Sequence, residues 1–391
     1  MVTKEGFVSI YYCVFFFLGA YILTYFTIPK IIGLVEYKNL MDNPNSRSSH
    51  LKRTPTLGGV SFFYTLIIAL FFLRNWSDND EAMFFIPGLT ILFIIGLKDD
   101  LVVLSPYSKL AAQFISVSFI LSNEAFSIHS LHGFFGVFDI PVFASYIIGG
   151  FIMITIINAY NLIDGIDGLA AIVGIVILII YSTLFYMTQD YFYLLLSLTL
   201  NGCLIAFLKY NLSSTKEKIF MGDTGSLLVG FIISILTLKF LALPPHKLEN
   251  LPFLIENIPL IAIGILIVPL FDTARVFTIR LANRRSPFSA DRNHTHHILI
   301  DYFKISHRKA SLIIGAFNLV FVYLFIILGS TSYNFWLVTV LVVTVIILAY
   351  FFYRYNYSFS NVKRKIKFQR KIDNVKNKGK SIIRNKNEKE E

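Results

Sequence analysis

Apolar residues in this chain come in long unbroken runs, and polar residues are largely confined to the breaks between them. Eleven runs stand out, near residues 7–29, 57–73, 82–97, 109–122, 143–157, 169–187, 191–208, 226–244, 258–279, 309–330 and 335–353. A helix needs about 20 apolar residues to cross a hydrocarbon core with its backbone hydrogen bonds satisfied internally. The pattern therefore predicts an all-α polytopic membrane protein, a bundle of about ten to eleven transmembrane helices. The runs at 109–122 and 143–157 are short for a span, and flanking polar residues are expected to complete them. The first run follows Lys4 and Glu5 rather than a basic cluster and has no small-residue cleavage pattern, so it is expected to be a span and not a signal peptide. Residues 1–353 then form one membrane domain, and 354–391 a basic tail expected to be disordered.

Composition supports this reading. Of the 391 residues 55% are hydrophobic and 15% charged, against about 25% charged in a typical soluble domain. Mean hydropathy is +0.65. The two cysteines, Cys13 and Cys203, lie inside apolar runs and predict neither a disulfide framework nor a zinc site. The net charge of +11 is unevenly spread: alternate connections and the tail carry 30 of the 35 lysines and arginines. Such an excess on one side predicts that side to be cytoplasmic, with the N-terminus outside and the C-terminus inside. The tail is expected to lie against anionic lipid headgroups rather than to bind nucleic acid.

Polar residues at the ends of spans are costly, so their positions are informative. Five clusters fall on the predicted cytoplasmic side. The first runs from Asp42 through Arg47, His50, Lys52 and Thr56 to Gly58-Gly59, a cationic loop leading into a helix start and suited to anions. The second is Asp99-Asp100, whose adjacent carboxylates need a shared proton or cation, magnesium being the natural one. The third is Asn158-Ala-Tyr-Asn161-Leu-Ile-Asp164-Gly165-Ile-Asp167-Gly168, with no basic residue of its own, a set that suits a ribose, a sugar or a base. The fourth is Phe220-Met-Gly-Asp223-Thr224-Gly-Ser226. There Asp223 and Thr224 are expected either to cap the following helix or to bring magnesium and phosphate together. The fifth joins Asp272 and Arg275, spaced to pair on one helix face, to Asp291-Arg292-Asn-His294-Thr-His296-His297. No cysteine accompanies these histidines, and the nearby arginines favour phosphate over zinc.

The order of the five clusters over residues 10–350 resembles the polyprenyl-phosphate N-acetylhexosamine-1-phosphate transferases, a branch of glycosyltransferase family 4. The Asn161-Leu-Ile-Asp-Gly-Ile-Asp-Gly-Leu169 and Phe220-Met-Gly-Asp-Thr-Gly-Ser226 stretches carry most of the likeness. The resemblance implies transfer of N-acetylhexosamine 1-phosphate, by default GlcNAc 1-phosphate, from a UDP-sugar to undecaprenyl phosphate with release of UMP. That is the first membrane step of a cell-envelope polysaccharide, run in the bacterial cytoplasmic membrane with its site on the cytoplasmic face. It implies Mg2+, or else Mn2+, on Asp223 with Asp99 and Asp100, and Asp99 and Asp100 as the catalytic pair. Asn158, Asn161, Asp164 and Asp167 would line the nucleotide site with Phe220 near the base. Arg47, His50, Lys52, Thr56, Arg292, His294, His296 and His297 would hold phosphates or sugar. The implied partners are UDP-N-acetylhexosamine, undecaprenyl phosphate and membrane lipids, with no nucleic acid, and a homodimer stays open. Two positions depart from the pattern: Val103 stands where many relatives have a third aspartate, and the Asn211–Lys218 connection lacks their proline.

The phospho-N-acetylmuramoyl-pentapeptide transferases are the alternative, disfavoured by the histidine loop. A carboxylate-coupled transporter predicts charges near the bilayer midplane and inverted repeats; the chain shows neither.

Overall fold

The computed structural model describes residues 9–38, 40–42, 54–76, 81–215, 217–286, 294–331 and 335–352. The expected basic tail, and Arg47, His50, Lys52 and Arg292, lie outside them.

Each of the eleven apolar runs is helical over most of its described residues. In chain order the long helices are α1 (Ile10–Tyr37), α2 (Gly59–Leu73), α3 (Glu81–Leu101), α4 (Pro106–Leu121), α5 (Val142–Ile163), α6 (Leu169–Met187), α7 (Tyr191–Asn211) and α8 (Gly222–Leu241). The short α9 (Pro245–Leu248), the pair α10 (Ile258–Ile265) and α11 (Ile267–Ala282), the short α12 (Thr295–Asp301), α13 (His307–Thr331) and α14 (Phe335–Phe352) follow. Among the described residues nine of these helices are long and apolar enough to cross a membrane, and the α10–α11 pair makes a tenth if counted as one span. The run at 109–122 forms α4, a helix of only 16 residues.

Burial sorts the helices into centre and periphery. The apolar stretch of α8 is 94% buried, whereas those of α1 and α14 are 17% and 11% buried. α8 packs against α5, α3 and α2, and α7 packs against α1 and α6. Close approach depends on glycine: a side chain on Gly59 of α2 would run into the backbone of Gly225 in α8. One on Gly96 of α3 would meet Thr224. The α2 entry is also hydrogen-bonded to the start of α8, through Gly58 N–H to Phe220 O and Gly59 N–H to Met221 O, both 3.0 Å, and Phe220 N–H to Pro55 O, 2.8 Å.

α10 and α11 meet at a 67° bend. Pro269 explains its place, because proline has no N–H and its ring opposes the carbonyl four residues earlier, at Ile265. The bend turns α11 so that Asp272 reaches α12. Two antiparallel pairs complete the chain: β1 (Met41–Asp42) with β2 (Thr54–Pro55), and the hairpin β3 (Ser130–Phe134) with β4 (Val137–Asp139). The apolar pattern gave no sign of that hairpin. It turns on Gly133 and Gly136, both at positive φ.

Candidate active site

Asp99 and Asp100 end α3, and their carboxylates do different things. Asp100 accepts hydrogen bonds from the backbone N–H of Asp223 at 2.8 Å, that of Thr224 at 3.1 Å and the Thr224 hydroxyl at 2.5 Å. The first turn of α8, whose own N-cap makes no side-chain hydrogen bond, is thus capped from another helix. This overturns the expectation that Asp223 and Thr224 cap α8 themselves. Negative charge at a helix N-terminus is stabilised by the unpaired N–H groups and the helix dipole, and α3 supplies it. Gly222 at φ +71° lets the chain pass under Asp100, where any side chain would meet the Asp100 carboxylate and Thr56 O.

With the cap made by Asp100, the Asp223 carboxylate is free to face inward. One oxygen accepts from Asn161 Nδ2 at 2.9 Å, and the other takes the Lys109 ammonium. Lys109, from the first turn of α4, also pairs with Asp99 Oδ2 at 2.8 Å. Asp99 Oδ1 accepts from Leu104 N–H at 2.7 Å. Three helices therefore bring two carboxylates onto one cation, and Asn161 continues to Ser226 Oγ at 2.8 Å.

The α5 end follows the same logic. Asn158 is tied to Gln113 of α4 at 2.6 and 3.2 Å, which fixes α5 against α4 rather than facing the carboxylates. Asp164 ends α5, where burial and the charges of Asp223, Asp100 and Asp167 push its pKa up to about 8. Burial also penalises the charged form of Asp167, but His307 and Lys218 outweigh it and hold the carboxyl below its usual range. Its partner distances are 2.6 Å to Lys218 Nζ and 3.6 Å to His307 Nδ1. Lys218 also lies over the Phe220 ring, 5.3 Å from its centroid. Asn211 accepts from Gly168 N–H at 2.6 Å and donates to Ile219 O at 2.9 Å, clasping the Asp-Gly loop to the Phe220 segment.

The histidines lie against this loop. The His296 ring occupies the space a side chain on Gly165 would need. His294 Nδ1 is 2.7 Å from Asp272 Oδ2, and Thr295 donates to Asp272 Oδ1 through its N–H at 2.7 Å and its hydroxyl at 2.6 Å. These partners, rather than the expected Arg275, account for buried Asp272. Burial, with the neighbouring His297, holds His296 neutral, well below its ordinary pKa. Its Nε2 is buried with no hydrogen-bond partner among the described residues. An apolar cavity of about 280 Å3 opens beside it, lined by Phe271, Leu299, Phe317, Phe351 and Phe352 among others.

One end of the bundle thus gathers Asp99, Asp100, Asn161, Asp164, Asp167, Phe220, Asp223, His294, His296 and His297, with Thr56 at its edge through its carbonyl. Val103 is 91% exposed and stands apart, so a third aspartate there would not join the group. Sequence reasoning missed Lys109 and Lys218, which it had counted only as positive charge, and His307, which it did not single out. As a metal site, Asp99 and Asp223 already share a cation, the Lys109 ammonium, and so accommodate positive charge. Among the described residues no set of three or more His, Cys, Asp or Glu converges as metal ligands. A hard cation there would complete its shell with phosphate oxygens and water, the mode magnesium favours.

The profile described as glycosyl transferase family 4 matches residues 82–241. A probable undecaprenyl-phosphate N-acetylglucosaminyl 1-phosphate transferase of Bacillus subtilis (strain 168) is 32% identical over 318 residues, 80% of this chain and 84% of that protein. An undecaprenyl-phosphate alpha-N-acetylglucosaminyl 1-phosphate transferase of Thermotoga maritima is 29% identical over 300 residues, 77% of this chain and 86% of that protein. A decaprenyl-phosphate N-acetylglucosaminephosphotransferase of Mycobacterium leprae is 27% identical over 317 residues, 76% of this chain and 79% of that protein.

Proposed function

The chain belongs to glycosyl transferase family 4, and from that premise we propose that it transfers N-acetylhexosamine 1-phosphate, GlcNAc 1-phosphate by preference, from a UDP-sugar to undecaprenyl phosphate. UMP is released, and the product begins a cell-envelope polysaccharide at the cytoplasmic face of the bacterial inner membrane. The observation that carries this reading is the meeting of Asp99, Lys109, Asn161 and Asp223 at one end of the bundle, beside an apolar cavity fit for a prenyl chain.

In the reaction a lipid phosphate oxygen attacks the β-phosphorus of the donor. A new P–O bond forms as the bond to the bridging oxygen breaks, and UMP departs with that oxygen. Both reactants are anions, so positioning and charge compensation supply most of the acceleration. Asp223 and Asp99 would hold Mg2+, which when bound neutralises charge on the diphosphate. Lys109 supplies fixed positive charge between them. Asp99 accepts the proton of a monoprotonated lipid phosphate. Asp100 acts through α8, holding Asp223 in place. Neutral Asp164 donates a hydrogen bond, Asp167 and Phe220 receive the nucleoside, and the neutral His296 ring hydrogen-bonds phosphate or sugar.

The test is UMP release by the purified chain given UDP-GlcNAc, undecaprenyl phosphate and Mg2+. Release that needs all three and stops with EDTA is the expected result. No release with any UDP-sugar, or release indifferent to EDTA, overturns the reading. UMP exchange into UDP-sugar without lipid would replace direct attack with a covalent aspartyl-phosphate route.

A further inference from the structure

The far end of the bundle carries another cavity of about 280 Å3, this one polar. Lys239, on its wall, is sixteen residues along α8 from Asp223, about 24 Å at 1.5 Å per residue. Two ion pairs line it. Glu81, 3% exposed, pairs with Lys239 at 2.9 Å and accepts from the Tyr193 hydroxyl, so its carboxylate is engaged at both oxygens. Asp190 is not so satisfied. It stands at the N-cap of α7 but makes no capping bond. Oδ1 holds Lys247 at 2.5 Å, while Oδ2 is buried without a hydrogen-bond partner among the described residues. The residue as a whole is 9% exposed, and Lys247 keeps 32% of its side chain open.

One aromatic contact links the wall of this cavity to that of an apolar groove. Trp76, on its wall, packs edge-on against Phe16 with ring centroids 5.8 Å apart. Phe16 in turn lines a groove of about 220 Å3 between α1 and α2, with Gly19, Ala20, Ala69 and Phe72. Phe15 and Phe72, on the same groove, are 61% and 48% exposed. A polar cavity and an apolar groove whose walls meet at this aromatic contact, at the end of a bundle of membrane-spanning helices, match the two parts of an amphiphile.

We propose that cavity and groove form one binding site for a glycerophospholipid whose zwitterionic headgroup carries a primary ammonium, phosphoethanolamine. The charge of the two ion pairs sums to zero, which matches a headgroup bearing one charge of each sign. The unpartnered Asp190 oxygen requires an N–H or O–H donor, which an ammonium supplies and a quaternary choline lacks. The phosphate faces Lys247, and an acyl chain runs along the α1–α2 groove. This site stands independently of the chemistry proposed at the opposite end.

Native mass spectrometry of the full chain from bilayers holding equal phosphatidylethanolamine, phosphatidylcholine and phosphatidylglycerol, with matched acyl chains, tests it. The ethanolamine lipid is expected to remain bound at about ten times the level of the other two, the size of one charge-assisted hydrogen bond. Asp190→Asn and Lys247→Gln should each erase that preference. Gly19→Leu, at a position where an added Cβ meets nothing within 4 Å, should expel the lipid by filling the groove. The variants' unfolding temperatures in lipid-free detergent, expected to match the parent, keep loss of binding distinct from loss of fold. Equal retention of all three lipids, or an unchanged preference in a folded Asp190→Asn protein, overturns the proposal. Binding of soluble glycerophosphoethanolamine as tight as that of the lipid overturns the groove's part in it.

Discussion

Asp100 and Asp223 are 123 positions apart in the chain, yet the first decides what the second can do. Because Asp100 takes the N–H groups at the head of α8, Asp223 keeps both oxygens for Lys109 and Asn161. The two residues should then fail differently. Asp100→Ala strands three donors and is expected to cost about 1–3 kcal/mol of stability, measured as a lower unfolding temperature, along with activity. Asp223→Asn should cut UMP release by about 10²–10³-fold, the range for losing one electrostatic contact in a transition state, with little change in unfolding. Equal destabilisation by both would refute this division. Asp164 gives a pH signature. Its carboxyl sits near 4 in the unfolded chain and at about 8 when folded, so the fold favours its protonated form. That contribution is complete below pH 4 and is lost as pH rises toward 8, at about 1.4 kcal/mol per pH unit. The unfolding temperature of the ligand-free chain should therefore fall from pH 5 to 8 more steeply than that of Asp164→Asn. Equal slopes would place the pKa elsewhere. The aspartates were legible in sequence because carboxylates at span ends are rare. Lys109 was not, since a lysine near a membrane surface is ordinary until its partners are known.

At the scale of elements, the long apolar runs made every span legible, because the membrane leaves a helix no alternative for its backbone. What runs cannot show is how helices approach one another. Gly59 and Gly225 look like any glycines in a helical run, but their contact lets α2 lie on α8 and sets Thr56 beside Gly222. Gly59→Ala puts a methyl group into the Gly225 backbone and should destabilise the protein by about 1–3 kcal/mol, as overpacking does. Activity should fall further than stability, because the start of α8 carries Asp223. Purified Gly59→Ala with parental unfolding temperature and parental UMP release would show that the two helices can part without harm. The β3–β4 hairpin was invisible for a different reason. Its short strands mix Ser130, His132 and Asp139 with apolar residues without a clean alternation, so only the paired glycines of its turn marked it off.

Across the whole molecule, charge and chemistry converge on one end. Lys98, Lys109, Lys209, Lys218, Arg280, Arg284 and Arg285 occupy the ends of spans or connections on the side where the aspartates and histidines meet. The opposite side, with the hairpin, keeps few basic residues. Lysine and arginine are retained on the cytoplasmic side during insertion, so the asymmetry predicts that the site faces the compartment that holds nucleotide sugars. Cysteine labelling reads this directly, because only Cys13 and Cys203 need replacing first. Phe135 is 60% exposed at the hairpin turn, and Arg284 is exposed just beyond α11. In intact cells a membrane-impermeant maleimide should label Phe135→Cys and leave Arg284→Cys untouched until the membrane is opened. The reverse pattern would put the aspartate cluster outside, away from any UDP-sugar, and would defeat the transferase reading along with the orientation. Labelling of both sites in intact cells would mean that the chain inserts in two orientations, and the charge asymmetry would then not be what sets its topology.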